Sequence, residues 1–332
     1  MKQFSLSMPA RYLINTGLLV TFLALGSLIT QSGLLRRAQN ANIIDIGIFI
    51  ILAVSLNMVT GYLGQLPLGH AGFMAVGAYS GALFWRASPL PDAAAIVIGL
   101  LIAGTAAAIF GIIIGIPALR LRGDYLAIIT LGFGEIIRVI INNLDEITYG
   151  ARGLLNIPRH STFLVVYICV AVACGVIHLI MKSRYGRAIL SIKENEIAAE
   201  SCGVNTTYYK VMTFAVSAFF AGVAGALFAG NTGALMPGTF DFMMSINILM
   251  IVVLGGLGSM LGSVIAASVL TYLPFALQFL NQYRMIIYSL MLILVMIFRP
   301  IGLMGNYDFS MSRLLEKIIN RSRESKATDK TK

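Results

Sequence analysis

The sequence predicts an all-α fold, a polytopic transmembrane helical bundle that crosses a bilayer about ten times. Three observations predict it. The first is composition: of 332 residues, 58% are hydrophobic and 11% charged, where soluble domains carry roughly 25% charge. The second is the length of the uncharged runs. Residues 93–119 lack charge throughout, and 163–181 are interrupted only by His178; crossing a hydrocarbon core takes about 20 apolar residues. Residues 242–283 form an uncharged run of 42, too long for one crossing, so two spans hinge there at Gly255-Gly256-Leu257-Gly258. Residues 46–85 behave alike, with only His70 interrupting them. The third observation is that Lys and Arg gather at the ends of these runs.

The spans follow in order. The first, 12–30, holds the apolar run Leu13 to Ile29 and lacks the small-residue cleavage site of a signal peptide. The second and third, 43–60 and 70–85, flank a Gly/Pro-rich joint. The fourth, 93–118, is uncharged. The fifth, 124–142, opens on Asp124 as an N-cap. The sixth is 162–181. The seventh, 208–229, follows Asn205 as a cap, and Asp241 holds the same edge of the eighth, 242–256. The ninth is 262–280. The tenth, 285–298, has 14 residues, about 21 Å of helix. It crosses only by borrowing 281–284 or where the bilayer is thin.

Charge sets direction. With the N-terminus inside, 17 basic residues lie on the inner side and six on the outer, Arg138 falling within a span. Both termini are therefore expected to be cytoplasmic. The net charge of +10 sits at span ends and in the tail after Arg313, a distribution suited to membrane lipid and not to nucleic acid. Cys169, Cys174 and Cys202 have no metal-like spacing and read as small apolar packers. No metal site is expected.

Between the sixth and seventh spans, residues 182–203 are polar, mixed in charge and rich in helix formers. They read as one short helix on the membrane surface ending at Gly203 as C′. Ile189, Ile192 and Ala199 form a loose apolar stripe, which favours a docked partner over headgroups alone. A pattern beginning at Gly61 (Gly-x-x-Gly-x-Leu-x-x-Gly-x-x-x-Phe-Met) recurs from Gly230. The threading puts the copies on opposite sides, as an inverted-topology repeat requires, and broken segments at matching places point to a solute path. Candidate path residues are Gln65, Gly69, His70, Gly233 and Gly238; a satisfied His70 in a tight re-entrant turn is the competing reading. Glu135 and Arg138, three apart near the outer end of the fifth span, read as an intramembrane ion pair that stabilises packing. Asp124 and Asp241 do not read as a proton relay, because no other carboxylate is placed at membrane depth within their reach. The dipeptide Gly-Lys is absent, so no Walker A loop is present, and no nucleophile elbow or metal spacing appears. No enzyme activity is expected.

Several motifs, in order, carry a resemblance. They are Gly64-Gln-x-x-x-Gly-His-Ala-Gly-Phe73, Leu121-Arg-Gly-Asp-Tyr125, Thr130-Leu-Gly-Phe-Gly-Glu-Ile-Ile-Arg138, Tyr185-Gly-Arg187 with Glu194-Asn-Glu-Ile-Ala-Ala-Glu200, and Phe298-Arg-Pro-Ile-Gly-Leu303. Together they resemble the LivM-type permeases of branched-chain amino acid ABC importers, over residues 40–305. The resemblance implies a permease domain at 36–305, preceded by an N-terminal segment with the first span (1–35) and followed by a basic cytoplasmic tail (306–332). It also implies a bacterial inner-membrane location and a LivH-type permease as heterodimer partner. Two cytoplasmic ATPases, which bind the ATP, and a soluble extracytoplasmic binding protein complete the importer; the chain itself needs no cofactor. Arg187, Glu194, Ala198, Ala199, Glu200 and Gly203 fall where such permeases present a coupling helix (about 185–203) to an ATPase. Tyr149 and Arg152 depart from the family's Gly-Gly-x-x-Gly loop. Urea or short-amide permeases are the alternative within the family, and an ion-coupled secondary transporter is the alternative outside it.

Overall fold

A computed structural model describes residues 36–298 except Arg122, together with Gly302 and scattered positions between 21 and 30. The predicted tail 306–332, most of the predicted first span, and the residues flanking Gly302 in the last motif lie outside the described residues. Residues 36–306 form one compact unit.

Among the described residues, eleven α-helices longer than one turn occur in this unit: α1 (Arg37–Asn57), α2 (His70–Ala87), α3 (Asp92–Ala118), α4 (Asp124–Asn143), α5 (Phe163–Lys182), α6 (Arg184–Glu194), α7 (Glu196–Ser201), α8 (Thr206–Thr232), α9 (Phe242–Gly255), α10 (Met260–Ala276) and α11 (Arg284–Phe298). No strand occurs among the described residues; one isolated antiparallel bridge joins Leu154 to Leu235. By length and apolarity five helical stretches can cross a membrane: Arg37–Tyr62, Asp92–Ala118, Phe163–Lys182, Thr206–Thr232 and Met260–Phe279. Phe242–Gly255 is a shorter apolar helix. The unit is therefore a multi-pass, all-α membrane protein.

Packing between helices in lipid gains little from hydrophobicity, so it relies on small residues that let backbones approach. On α3, Gly99, Ala103, Ala107, Gly111 and Gly115 recur every four residues and all are buried. This stripe meets α8, where Gly222 lies against the Ala103 backbone and Ala107. At the same level of α8, Gly77 of α2 touches the Gly222 backbone and Gly81 meets Ala226. Helix α1 is the most enclosed of the spanning stretches, packing against α5, α8, α9 and α10. So α1 lies on α9 and α10, while α8 lies on α2 and α3.

Two local expectations need correction. Asp124 is not the N-cap of α4. Gly123 is, with φ +59, and this left-handed turn carries Asp124 into the first helical turn. There its charge still complements the helix dipole. The segment 182–203 is not one helix but two, α6 and α7. Asn195 leaves helical geometry (φ −159, ψ 107) because its side chain caps α7 instead, accepting from the Ala198 N–H at 3.1 Å.

Candidate solute path and coupling surface

The joint between α1 and α2 starts from a loss of α geometry. Met58–Tyr62 form a π-helical turn, a form that recurs at functional sites. The chain then runs irregularly through Gly64, at φ +76, which a side chain would strain. Irregular backbone at depth must find partners inside protein, and here it does. The Gly61 carbonyl accepts from Lys193 Nζ at 2.8 Å. Leu68 N–H donates to Thr130 Oγ1 at 3.0 Å. Asn57 bridges to the α9–α10 hinge, accepting from Gly258 N–H at 2.9 Å and donating to the Ser259 carbonyl at 3.0 Å. Gly69 presses on the Thr130 carbonyl, and Gly61 on the Gly258 backbone, too closely for a Cβ at either.

His70 begins α2 and is 3% exposed. Its Nε2 lies 3.1 Å from Ser55 Oγ, which donates to the Leu52 carbonyl at 2.9 Å. Ser217 Oγ donates to the Ser55 carbonyl at 2.7 Å, and Ala71 N–H donates to Ser245 Oγ at 3.1 Å. His70 thus belongs to a buried polar knot that joins α1, α2, α8 and α9. Gln65 is half-buried with its Oε1 enclosed and unbonded, beside a cleft of about 430 Å³ lined by Leu66, Asp124, Lys193, Glu194 and Glu196.

The second joint is built differently. Gly233 ends α8 at φ +73, matching Gly64 in the repeated pattern. Its carbonyl accepts from Ile157 N–H at 3.1 Å, and Leu235 exchanges backbone bonds with Leu154. Gly238 sits in the 3₁₀ turn Pro237–Phe240 with open space around it. Asp241 caps α9, accepting from Met244 N–H at 2.9 Å.

In the coupling segment Gly186, Ile189, Ile192 and Ala199 are buried. The apolar stripe is therefore covered by the chain itself. Arg187, Glu194, Ala198, Glu200 and Gly203 are exposed, whereas Ala199 points inward. Gly203 follows the α7 C-cap at φ +83, and Asn205 caps α8 through Tyr208 N–H at 3.1 Å. Two further ties were not read from sequence. Lys193 reaches Gly61, and Lys210, 3% exposed on α8, pairs with Glu196 at 2.7 Å. Their only sequence signal is a lysine close to a predicted apolar span.

Glu135 and Arg138 form the expected ion pair at 2.6 Å. They lie in the C-terminal half of α4, which runs from Asp124 to Asn143. Asp45, overlooked in sequence, lies within the spanning stretch of α1 and accepts from Asn231 Nδ2 at 2.8 Å. Cys169, Cys174 and Cys202 are free thiols. Among the described residues no group of three His, Cys, Asp or Glu side chains could hold a metal.

A bundle of long apolar helices joined by small-residue packing defines a multi-pass membrane protein. Residues 41–296 match the family model described as branched-chain amino acid transport system / permease component, and the chain belongs to that family. It is 37% identical over 299 residues to the high-affinity branched-chain amino acid transport system permease protein LivM of Salmonella typhimurium, covering 77% of this chain and 68% of that protein. LivM of Escherichia coli K12 matches to the same extent. The LivH permease of Salmonella typhimurium is 24% identical over 284 residues, covering 77% of this chain and 91% of that one. No solved structure matches.

Proposed function

We propose that this chain is a LivM-type subunit forming half of the translocation path of an ABC importer for branched-chain amino acids. Its companions are a LivH-type permease, two ATPases that bind and hydrolyse ATP, and a soluble extracytoplasmic binding protein. The chain itself is non-catalytic, crosses the inner membrane about ten times, and has both termini in the cytoplasm. The permease domain is 36–305.

The observation that carries this reading is the mechanical linkage of α6 and α7. Their outer surface offers Arg187, Glu194, Ala198, Glu200 and Gly203 to a partner. Their inner surface is fastened to the broken end of α1 by Lys193 and to α8 by the Glu196–Lys210 pair. Movement imposed by an ATPase would therefore pass to two central helices, which is what alternating access needs. The reciprocal packing of α1 on α9–α10 and α8 on α2–α3, with Gly64 and Gly233 at nearly equal φ, supports an inverted repeat of the Gly61 and Gly230 segments. Gln65 and Gly69 at one joint and Gly233 and Gly238 at the other would border the path. His70 acts from the knot behind it.

Purification in mild detergent tests the reading. An ATPase should co-purify with the wild type and be lost when Glu194 and Gly203 are replaced together. An active transporter isolated without any ATPase would sink it. Competition of labelled leucine uptake by isoleucine, valine and urea then reads the solute, and displacement by urea alone would overturn the amino-acid assignment.

A further inference from the structure

The helix α4 has three sides. Leu126, Thr130, Ile137 and Ile141 are its buried residues, and with Gly134 they form the side that meets α2. Ile129, Ile136 and Ile140 form a second side, apolar and exposed, as lipid requires. Helical spacing puts Asp124, Glu135, Arg138 and Asn142 on a third flank beside Leu131. Arg138 and Glu135 keep 35% and 33% of their side-chain surface uncovered by this chain. At about 1.5 Å per residue they lie roughly 16–21 Å along a helix of about 30 Å, well inside both of its ends.

A charged pair one-third exposed at that depth is not compatible with hydrocarbon. Ionisable groups in a membrane face protein or water. We propose that this flank of α4 lines the solute path, and that Glu135 and Arg138 form a relay site for a zwitterionic amino acid. Glu135 accepts from the solute's ammonium, and Arg138 donates to its carboxylate in the planar geometry guanidinium favours. Between solutes the two side chains satisfy each other at 2.6 Å, so neither charge is left bare. The internal pair also competes with the solute and keeps binding weak enough to release it, as conduction demands. The inference rests on the reading of α4 as a crossing and of the solute as an amino acid.

The test uses the assembled transporter in membranes, with Cys169, Cys174 and Cys202 replaced and single cysteines introduced as Leu131→Cys on the polar flank and Ile136→Cys on the apolar side. A charged methanethiosulfonate reagent should modify the first and not the second, and leucine-loaded binding protein should slow the modification. If Leu131→Cys resists that reagent, the flank faces lipid or a partner and the path is wrong, whatever solute is carried. In the second arm Arg138→Gln should lower leucine uptake by about tenfold or more, as loss of a charge-assisted hydrogen bond does. Arg138→Lys should restore part of it, with co-purification of the ATPase unchanged. Wild-type leucine uptake by assembled Arg138→Gln overturns the zwitterion site. If the wild type takes up urea and not leucine, the amino-acid reading fails while the cysteine pair still decides the path.

Discussion

The two interrupted crossings share a glycine pattern but are held in place in different ways. The first, at 58–69, is fastened by long-range side-chain bonds. Lys193 lies 132 residues from Gly61, and Asn57 lies 201 from Gly258. The second, at 233–241, is held chiefly by backbone pairing with the loop at 154–157 and by the Asp241 cap. A joint held by side chains from other helices moves when those helices move, whereas backbone pairing to a neighbouring loop ties its segment to that loop. The contrast ties the first joint to α6 and to the α9–α10 hinge, and the second to its neighbouring loop.

Substitutions can break this contrast, starting with the largest effect. Gly61→Leu should prevent assembly, since its Cβ has no room against the Gly258 backbone and overpacking a core costs about 1–3 kcal/mol or more. Gly238→Ala, with open space, should stay within about 0.5 kcal/mol. Detergent-solubilised yield and thermal melting would compare them, and equal losses would erase the distinction. Next, Lys210→Met should remove the charge partner of the Glu196 carboxylate. Because Glu196 is 23% exposed, the cost should be nearer the low end of the roughly 3–5 kcal/mol seen for buried pairs. Melting of the Lys210→Met, Glu196→Gln double variant should recover part of the loss. Gly64→Ala and Gly233→Ala should each cost about 1–2 kcal/mol, because both glycines are left-handed. Unequal costs would argue against equivalent repeats. The smallest effect is expected from Asn195→Ala, about 1 kcal/mol from the lost cap. It should fuse α6 and α7 toward one helix and lower ATPase-coupled uptake more than it lowers melting temperature.

Much of the local structure was legible because it depends on near neighbours. Asn205 and Gly203 sit as cap and C′ because capping needs only residues within one turn. The Glu135–Arg138 pair follows from a spacing of three on one helix. Asn195 misled because Asn can serve the backbone as a cap or sit passively in a helix, and propensity does not decide between them. Asp124 misled because a positive-φ glycine before it shifted the helix start by one residue. Asp45 was missed because a single carboxylate at the rim of an apolar run resembles a boundary charge until Asn231, 186 residues away, is seen to bond it.

Sequence alone determined that this chain lives in a bilayer, that it does so as helices, and which segment stands out as polar and helical between crossings. Those properties follow from apolar length, from charge at span ends and from the need of every buried backbone group for an internal partner. Only the tertiary structure decided that His70 is enclosed in a knot and that α6 and α7 grip the end of α1 and α8. It alone left the Glu135–Arg138 pair about one-third uncovered on one flank of α4. Partners that close such contacts come from distant positions, and no local pattern encodes which distant group will arrive.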